Sequence, residues 1–268
     1  NADSYTLSVA GTFNNANYSV VRHTGTWTVN PADVVVTANG GGSIYGQSPA
    51  NPGLSATGLQ NGQSVAVLTG LSNSFGITNT TDAGDHTLSV VGTLTNGNYR
   101  VTRSDGTWTV NPADLIVTAN GGSSIYGQSP TNPGLSATGL QNGQSVAVLT
   151  GLSNSFGITN ATDAGDHTLS VVGTLTNGNY RVTRSDGTWT VNPADVIVTA
   201  NGGSSIYGQS PTNPGFSATG LQNGQGVDVL TGLSNSFGIT NTTGAGSHTL
   251  GVVGTLTNGN YRVTRSDG

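Results

Sequence analysis

Lysine, glutamate, cysteine and methionine are absent from the 268 residues, so every acid is Asp and every base is Arg. Without cysteine there is neither a disulfide scaffold nor a thiolate metal site. Charged residues amount to 7%, with a formal net charge of −5, and the seven arginines are scattered. Displacing counterions from a nucleic acid takes clustered positive charge, so no nucleic-acid partner is expected. Without Glu, a carboxylate pair for glycoside hydrolysis would require two aspartates in one cleft. Ser, His and Asp are present, but no Gly-x-Ser-x-Gly elbow accompanies them, and the expectation is a protein that is not an enzyme. No apolar run approaches the roughly 18–20 residues that cross a bilayer as a helix, so no membrane insertion is expected. The residues after Asn1 lack the pattern of a signal peptide, and the segment reads as an internal piece of a longer protein. Strong helix formers are scarce while Thr and Val are plentiful, which points to an all-β chain.

What the sequence does contain is a repeat. Gly-Thr-Trp-Thr-Val-Asn-Pro-Ala-Asp, an aliphatic run and Thr-Ala-Asn-Gly occur at Gly25–Gly40, Gly106–Gly121 and Gly187–Gly202. Trp27, Trp108 and Trp189 are spaced by 81 residues, as are Tyr45, Tyr126 and Tyr207, and His86, His167 and His248. A fixed period marks a repeat architecture. Residues 1–30 correspond to the C-terminal part of a preceding repeat; 31–111 and 112–192 are repeat domains; 193–268 is a repeat domain lacking its last strand. The two full units differ at five positions only: Val34/Leu115, Val35/Ile116, Gly42/Ser123, Ala50/Thr131 and Thr80/Ala161. Near-identity of this kind favours a spacer, stalk or fibre over a specialised catalytic site.

Within the unit 112–192, six to eight short strands are predicted, broken by turn signals every 8–12 residues. The strands are Leu115–Ala119, Ile125-Tyr126, Leu135–Leu140, Ser145–Thr150, His167–Leu175, Tyr180–Arg184 and Thr188–Val191. Turns are expected at the Gly-Gly-Ser-Ser segment, at Gln141-Asn142-Gly143, and at Asn111-Pro112-Ala113-Asp114, where Pro presets φ and its predecessor is pushed to an extended form. Alternation places Leu115, Val117, Leu169, Val171, Tyr180, Val182, Trp189 and Val191 inward, and Thr183, Thr188, Thr190 and Ser170 outward. The architecture expected is a tandem array of antiparallel β-sandwich (Ig-like) domains of about 81 residues each.

The densest group of ligand types is Asp82-Ala83-Gly84-Asp85-His86, repeated at Asp163–His167. Asp82, Asp85, Asp163 and Asp166 are therefore candidate Ca²⁺ ligands. A turn entering a strand explains the same residues through backbone geometry. That reading is preferred, with no cofactor expected, because the equivalent positions are Asn1 and Ser4 in the first fragment and Gly244 and Ser247 in the last unit. The three tryptophans are candidate sugar-stacking platforms, yet their alternation in phase with Val favours the core. Arg103, Arg184 and Arg265 lie beside Asp105, Asp186 and Asp267 in the turn Arg-Ser-Asp-Gly, where local, exposed ion pairs of little energetic weight are expected.

The order Val-Ile-Val-Thr-Ala, Tyr-Gly, Asn-Gly, Val-Leu-Thr-Gly, Gly-Asp-His-Thr-Leu, Asn-Tyr-Arg-Val and Gly-Thr-Trp-Thr-Val resembles the MBG-type repeat with the Tyr-Gly-X signature. The signature stands here as Tyr45-Gly46-Gln47, Tyr126-Gly127-Gln128 and Tyr207-Gly208-Gln209. Trp departs from the aliphatic residue usual in the family's last strand. The resemblance implies tandem β-rich modules of large bacterial surface or secreted adhesins, at the cell surface or outside it, and supplies no catalytic residues. The partners expected are neighbouring repeats of the same protein, other copies joined end to end as a matrix or surface fibre, and a host or matrix glycan held by exposed Trp or by Gln47, Gln128 and Gln209.

Overall fold

The computed structural model describes residues 1–268 and is all-β, with open sheets and three tandem repeats. The first fragment contributes a hairpin of β1 (Asp3–Leu7) and β2 (Gly25–Val29), paired antiparallel with Tyr5 opposite Trp27. The first full repeat then runs through β3 (Ala32–Ala38), β4 (Gly41–Ile44), β5 (Leu54–Thr57), β6 (Leu71–Asn73), β7 (Gly84–Leu88), β8 (Val90–Gly92), β9 (Tyr99–Ser104) and β10 (Gly106–Asn111). Three sheets result, ordered β5-β3-β9, β4-β10-β7 and β6-β8. The second repeat has the same three strand orders; the third keeps the counterparts of the first and last of these sheets.

The sheets are mixed. β3 pairs antiparallel with β5 but parallel with β9, and β10 pairs antiparallel with β7 but parallel with β4. Parallel partners need a crossover rather than a tight turn, and strand-by-strand reading carries no sign of which strands such a crossover brings together.

Alternation builds the core as expected. In β3, Val34, Val36 and Ala38 are buried while Asp33 and Val35 face out; in β10, Trp108 and Val110 are buried. Leu115, Val117, Leu169, Val171, Tyr180, Trp189 and Val191 are likewise buried, whereas Val182 is half-buried. Leu68, Leu149 and the signature tyrosines Tyr45 and Tyr126 join them in the core.

Four local expectations are corrected. Ser145–Thr150 is not a strand: Val146–Val148 forms a 3₁₀ turn, as Val65–Val67 does with Leu68 N–H bonding to Val65 O at 3.0 Å. An apolar run this short has no period to separate the two forms, and the turn suits a segment that buries one residue, Leu149, rather than alternate ones. The Gly-Gly-Ser-Ser segment is a strand, Gly122–Ile125. Its glycines serve close approach: a Cβ on the equivalent Gly41 would lie 2.5 Å from the Trp108 ring. The predicted strand His167–Leu175 is two strands divided at Ser170, Gly165–Leu169 and Val171–Gly173, which pair in different sheets. The Asn-Pro-Ala-Asp turn shrinks to Pro112 alone, between β10 and the strand Ala113–Ala119.

The chain divides into two compact units. The first comprises Asn1–Asp114 with Gly139–Ser145 and Asn177–Arg181; the second comprises Leu115–Thr138, Val146–Thr176 and Val182–Gly268. The division does not follow the sequence period. Two short pieces of the second repeat group with the first, and they carry the contacts described next.

Candidate functional site

The Tyr-Gly-Gln signature lies in a turn at the end of β4. Tyr45 N–H bonds to Asn111 O at 2.8 Å, Gly46 N–H to Asn79 O at 3.1 Å, and Gln47 N–H to Ile44 O at 3.0 Å, while Gln47 Oε1 accepts from Ile44 N–H. Gly46 has φ +92°, a left-handed conformation that glycine alone adopts freely.

Within the first compact unit this turn meets residues 139–145 and 177–181. The Tyr45 ring stands edge-on to Tyr180, with centroids 5.5 Å apart at 79°. Gln144 joins the two phenols: its Nε2 donates to Tyr45 Oη at 3.2 Å, and its Oε1 accepts from Tyr180 Oη at 2.5 Å. Tyr180 Oη in turn accepts from Gln141 N–H at 2.8 Å. Asn142 adopts φ 55° and Gly143 φ 68°, the hairpin-type turn expected for Asn-Gly. Asn79 and Asn142 are joined by two bonds: Asn79 Nδ2 donates to Asn142 Oδ1, and Asn142 Nδ2 donates to the main-chain O of Asn79, both at 2.9 Å.

The Asp82-Ala83 end of the aspartate cluster belongs to the same site. Asn179 Oδ1 accepts from Ala83 N–H at 2.7 Å, and Asn179 Nδ2 donates to Asp82 Oδ1 at 2.8 Å. Asp85 is held elsewhere, accepting from Thr109 Oγ1 across β10 at 2.6 Å. His86 Nε2 donates to Asp82 O, and His248 makes the same bond to Gly244 O in the copy that has no aspartate. The first fragment repeats the contact with an amide, Asn98 donating to Asn1 Oδ1 and accepting from Ala2 N–H. No three of the His and Asp side chains gather into a group that would hold a metal ion. Asp82 and Asp85 therefore have different partners rather than a common ligand, and so do Asp163, bonded by Asn260 Nδ2, and Asp166, bonded by Thr190 Oγ1.

The second compact unit contains the same arrangement one period on. Tyr126 is edge-on to Tyr261 at 5.5 Å and 79°, and Gln225 Nε2 reaches Tyr126 Oη at 3.1 Å while its Oε1 accepts from Tyr261 Oη. Asn160 Nδ2 donates to Asn223 Oδ1 and Asn223 Nδ2 to the main-chain O of Asn160, both at 2.9 Å, and Ala164 N–H reaches Asn260 Oδ1 at 2.6 Å. A shallow cleft of about 310 Å³ in this unit is lined by Ile125, Asn192, Pro193, Asp195 and Arg262.

Asp195 and Arg262 form one of three recurring ion pairs, with Asp33–Arg100 and Asp114–Arg181, at 2.6–2.8 Å. In each, the guanidinium hydrogen bond holds the carboxyl below the usual carboxylate range. These are not the pairs expected from the Arg-Ser-Asp-Gly turns. Arg103 instead donates to the carbonyls of Val90 and Gly92, at 2.9 and 2.5 Å, and Arg184 likewise to those of Val171 and Gly173. Pairing across β3 and β9 sets Asp33 directly opposite Arg100, and a sequence shows no such register.

Trp108 and Trp189 are 6% exposed, each donating Nε1–H to a buried serine, Ser43 or Ser124, at 3.0 Å and edge-on to Phe75 or Phe156. Their rings offer no sugar platform; Trp27 is exposed. Gln141-Asn142-Gly143 was expected as a turn and Tyr180 in the core, and both are so placed. Their meeting with the Tyr-Gly-Gln turn, and the part played by Gln144 and Asn179, had no signal in the sequence beyond exact recurrence at the repeat period.

A family model described as MBG domain (YGX type) matches residues 34–109, 115–190 and 196–268. No curated protein matches the chain.

Proposed function

The chain belongs to the MBG domain family of the YGX type, and from that membership we propose that it is a non-enzymatic structural repeat region, the stalk or spacer of an extracellular bacterial adhesin. The observation that carries the reading is how the ligand-type side chains are used. Asp82, Asp163, Asn142, Asn179 and Gln144, the residues a catalytic or metal site would recruit, are bonded to residues of an adjoining repeat. A segment whose polar chemistry is spent on joining its own modules suits a spacing role.

The test is immunogold labelling of intact producing cells with an antibody raised against the repeat, alongside a strain whose gene lacks residues 112–192. Label outside the envelope in the parent, with its greatest distance from the envelope reduced after deletion, is the expected result. Label seen only after permeabilisation would overturn the reading.

A further inference from the structure

We propose that the Tyr-Gly-Gln turn is a docking element, read by the Gln-Asn-Gly-Gln turn and the Asn-Tyr pair of the following repeat, so that the partner it selects is a module carrying those residues. The inference goes beyond the stalk reading, because it assigns the family signature a binding role that would hold wherever the protein resides.

Three observations carry it. The same set of side chains meets twice, with Tyr45 on Gln144 and Tyr180 in one compact unit and Tyr126 on Gln225 and Tyr261 in the other. Both surfaces also keep the backbone of their turns when nothing is docked on them. In the third copy Tyr207 is 71% exposed, yet Gly208 retains φ +90°, its N–H still reaches Asn241 O at 3.1 Å, and Gln209 N–H still reaches Ile206 O at 3.0 Å. On the reading side, the first repeat holds Tyr99 Oη to Gln63 and to Gln60 N–H, and Asn61 at φ 56°, with no signature tyrosine against them. Two preformed faces lose little conformational entropy on meeting, which favours specific docking.

The third observation explains the glycine. A Cβ on Gly46 would lie 2.5 Å from Gln141 Oε1, and one on Gly127 2.4 Å from Gln222 Oε1. Gly208 has the same backbone angle and nothing within 4 Å. The positive φ asks for glycine in all three copies, whereas the close approach asks for it only where a repeat is docked.

That difference supplies the test, on the 268-residue protein. Hydrogen exchange is followed at Ala164, whose amide bonds to Asn260 Oδ1 across the second junction, and at core amides of the second repeat as an internal reference. Tyr126→Ala and Gly127→Ala are expected to speed Ala164 exchange at least tenfold while the reference amides keep their protection. Tyr207→Ala and Gly208→Ala, the same changes in an undocked copy, are expected to leave Ala164 unchanged. Should Tyr126→Ala fail to fold, Tyr126→Phe serves: it keeps the ring and removes only the hydroxyl that Gln225 reaches, with a smaller acceleration expected at Ala164. Equal effects at positions 126 and 207, or Ala164 unmoved by every change at 126 and 127, would overturn the proposal. The readout is on purified protein, so its failure is separate from a failure of the surface-stalk reading.

Discussion

The strands Gly25–Val29 and Gly106–Asn111 share the sequence Gly-Thr-Trp-Thr-Val, and their tryptophans differ tenfold in exposure, 64% for Trp27 against 6% for Trp108. Both pair antiparallel with a similar strand on one side, β1 or β7. The difference lies on the other edge and beneath the ring. Trp108 has β4 beside it, the bare backbone of Gly41 under its six-membered ring, Phe75 edge-on at 5.1 Å, and Ser43 accepting its Nε1–H. Alternation therefore says which face a side chain is on, and the surrounding strands decide whether that face is buried.

Removing the ring should widen this contrast most. Trp108→Ala is expected to destabilise the first repeat by about 3–5 kcal/mol, while Trp27→Ala should stay within about 0.5 kcal/mol; denaturant titrations of each variant check both. Acrylamide quenching of the parent should separate one accessible tryptophan from two protected ones. Next comes Gly41→Ala, in which the new methyl group meets the Trp108 ring at 2.5 Å. A cost of about 1–3 kcal/mol is expected from overpacking, and thermal unfolding would measure it. Ser43→Ala leaves the buried indole N–H without an acceptor, at a cost of about 1–3 kcal/mol; if the parent and variant melt together, the bond to Ser43 adds nothing to burial. The smallest effect concerns residues outside the contrast. The Asp33, Asp114 and Asp195 carboxyls titrate below their unfolded range because of their arginine partners, so their stabilisation is present above the unfolded pKa and lost as pH falls through the folded one. These pairs are exposed, and Asp33→Asn should hardly change unfolding at neutral pH while removing a small part of its acid sensitivity.

The class of fold, the repeat and most of the buried face were legible because each rests on local chemistry. Thr and Val at alternate positions declare a strand, and Trp108 in phase with Val110 declares its inner side. Less legible were features that depend on what lies across from a residue. Gly40 and Gly41 read as a turn until the Thr107 backbone and the Trp108 ring are placed against them, and Arg103 reads as a partner for Asp105 until the carbonyls of Val90 and Gly92 appear beside it. The junction was legible on one side only. Tyr45-Gly46-Gln47 is conspicuous as a recurring signature, but Gln144 lies 99 residues from Tyr45, and nothing in the spacing says that they meet.

That separation of 99 residues recurs between Tyr126 and Gln225, and the separation of 63 between Asn79 and Asn142 recurs between Asn160 and Asn223. Each junction thus draws half of its residues from one period and half from the next, always at the same positions. A gene that gains or loses a whole period by unequal recombination would therefore leave every surviving junction with its full set of partners. Such an array can change length between generations without any compensating mutation, and length becomes a trait that selection can adjust independently of fold.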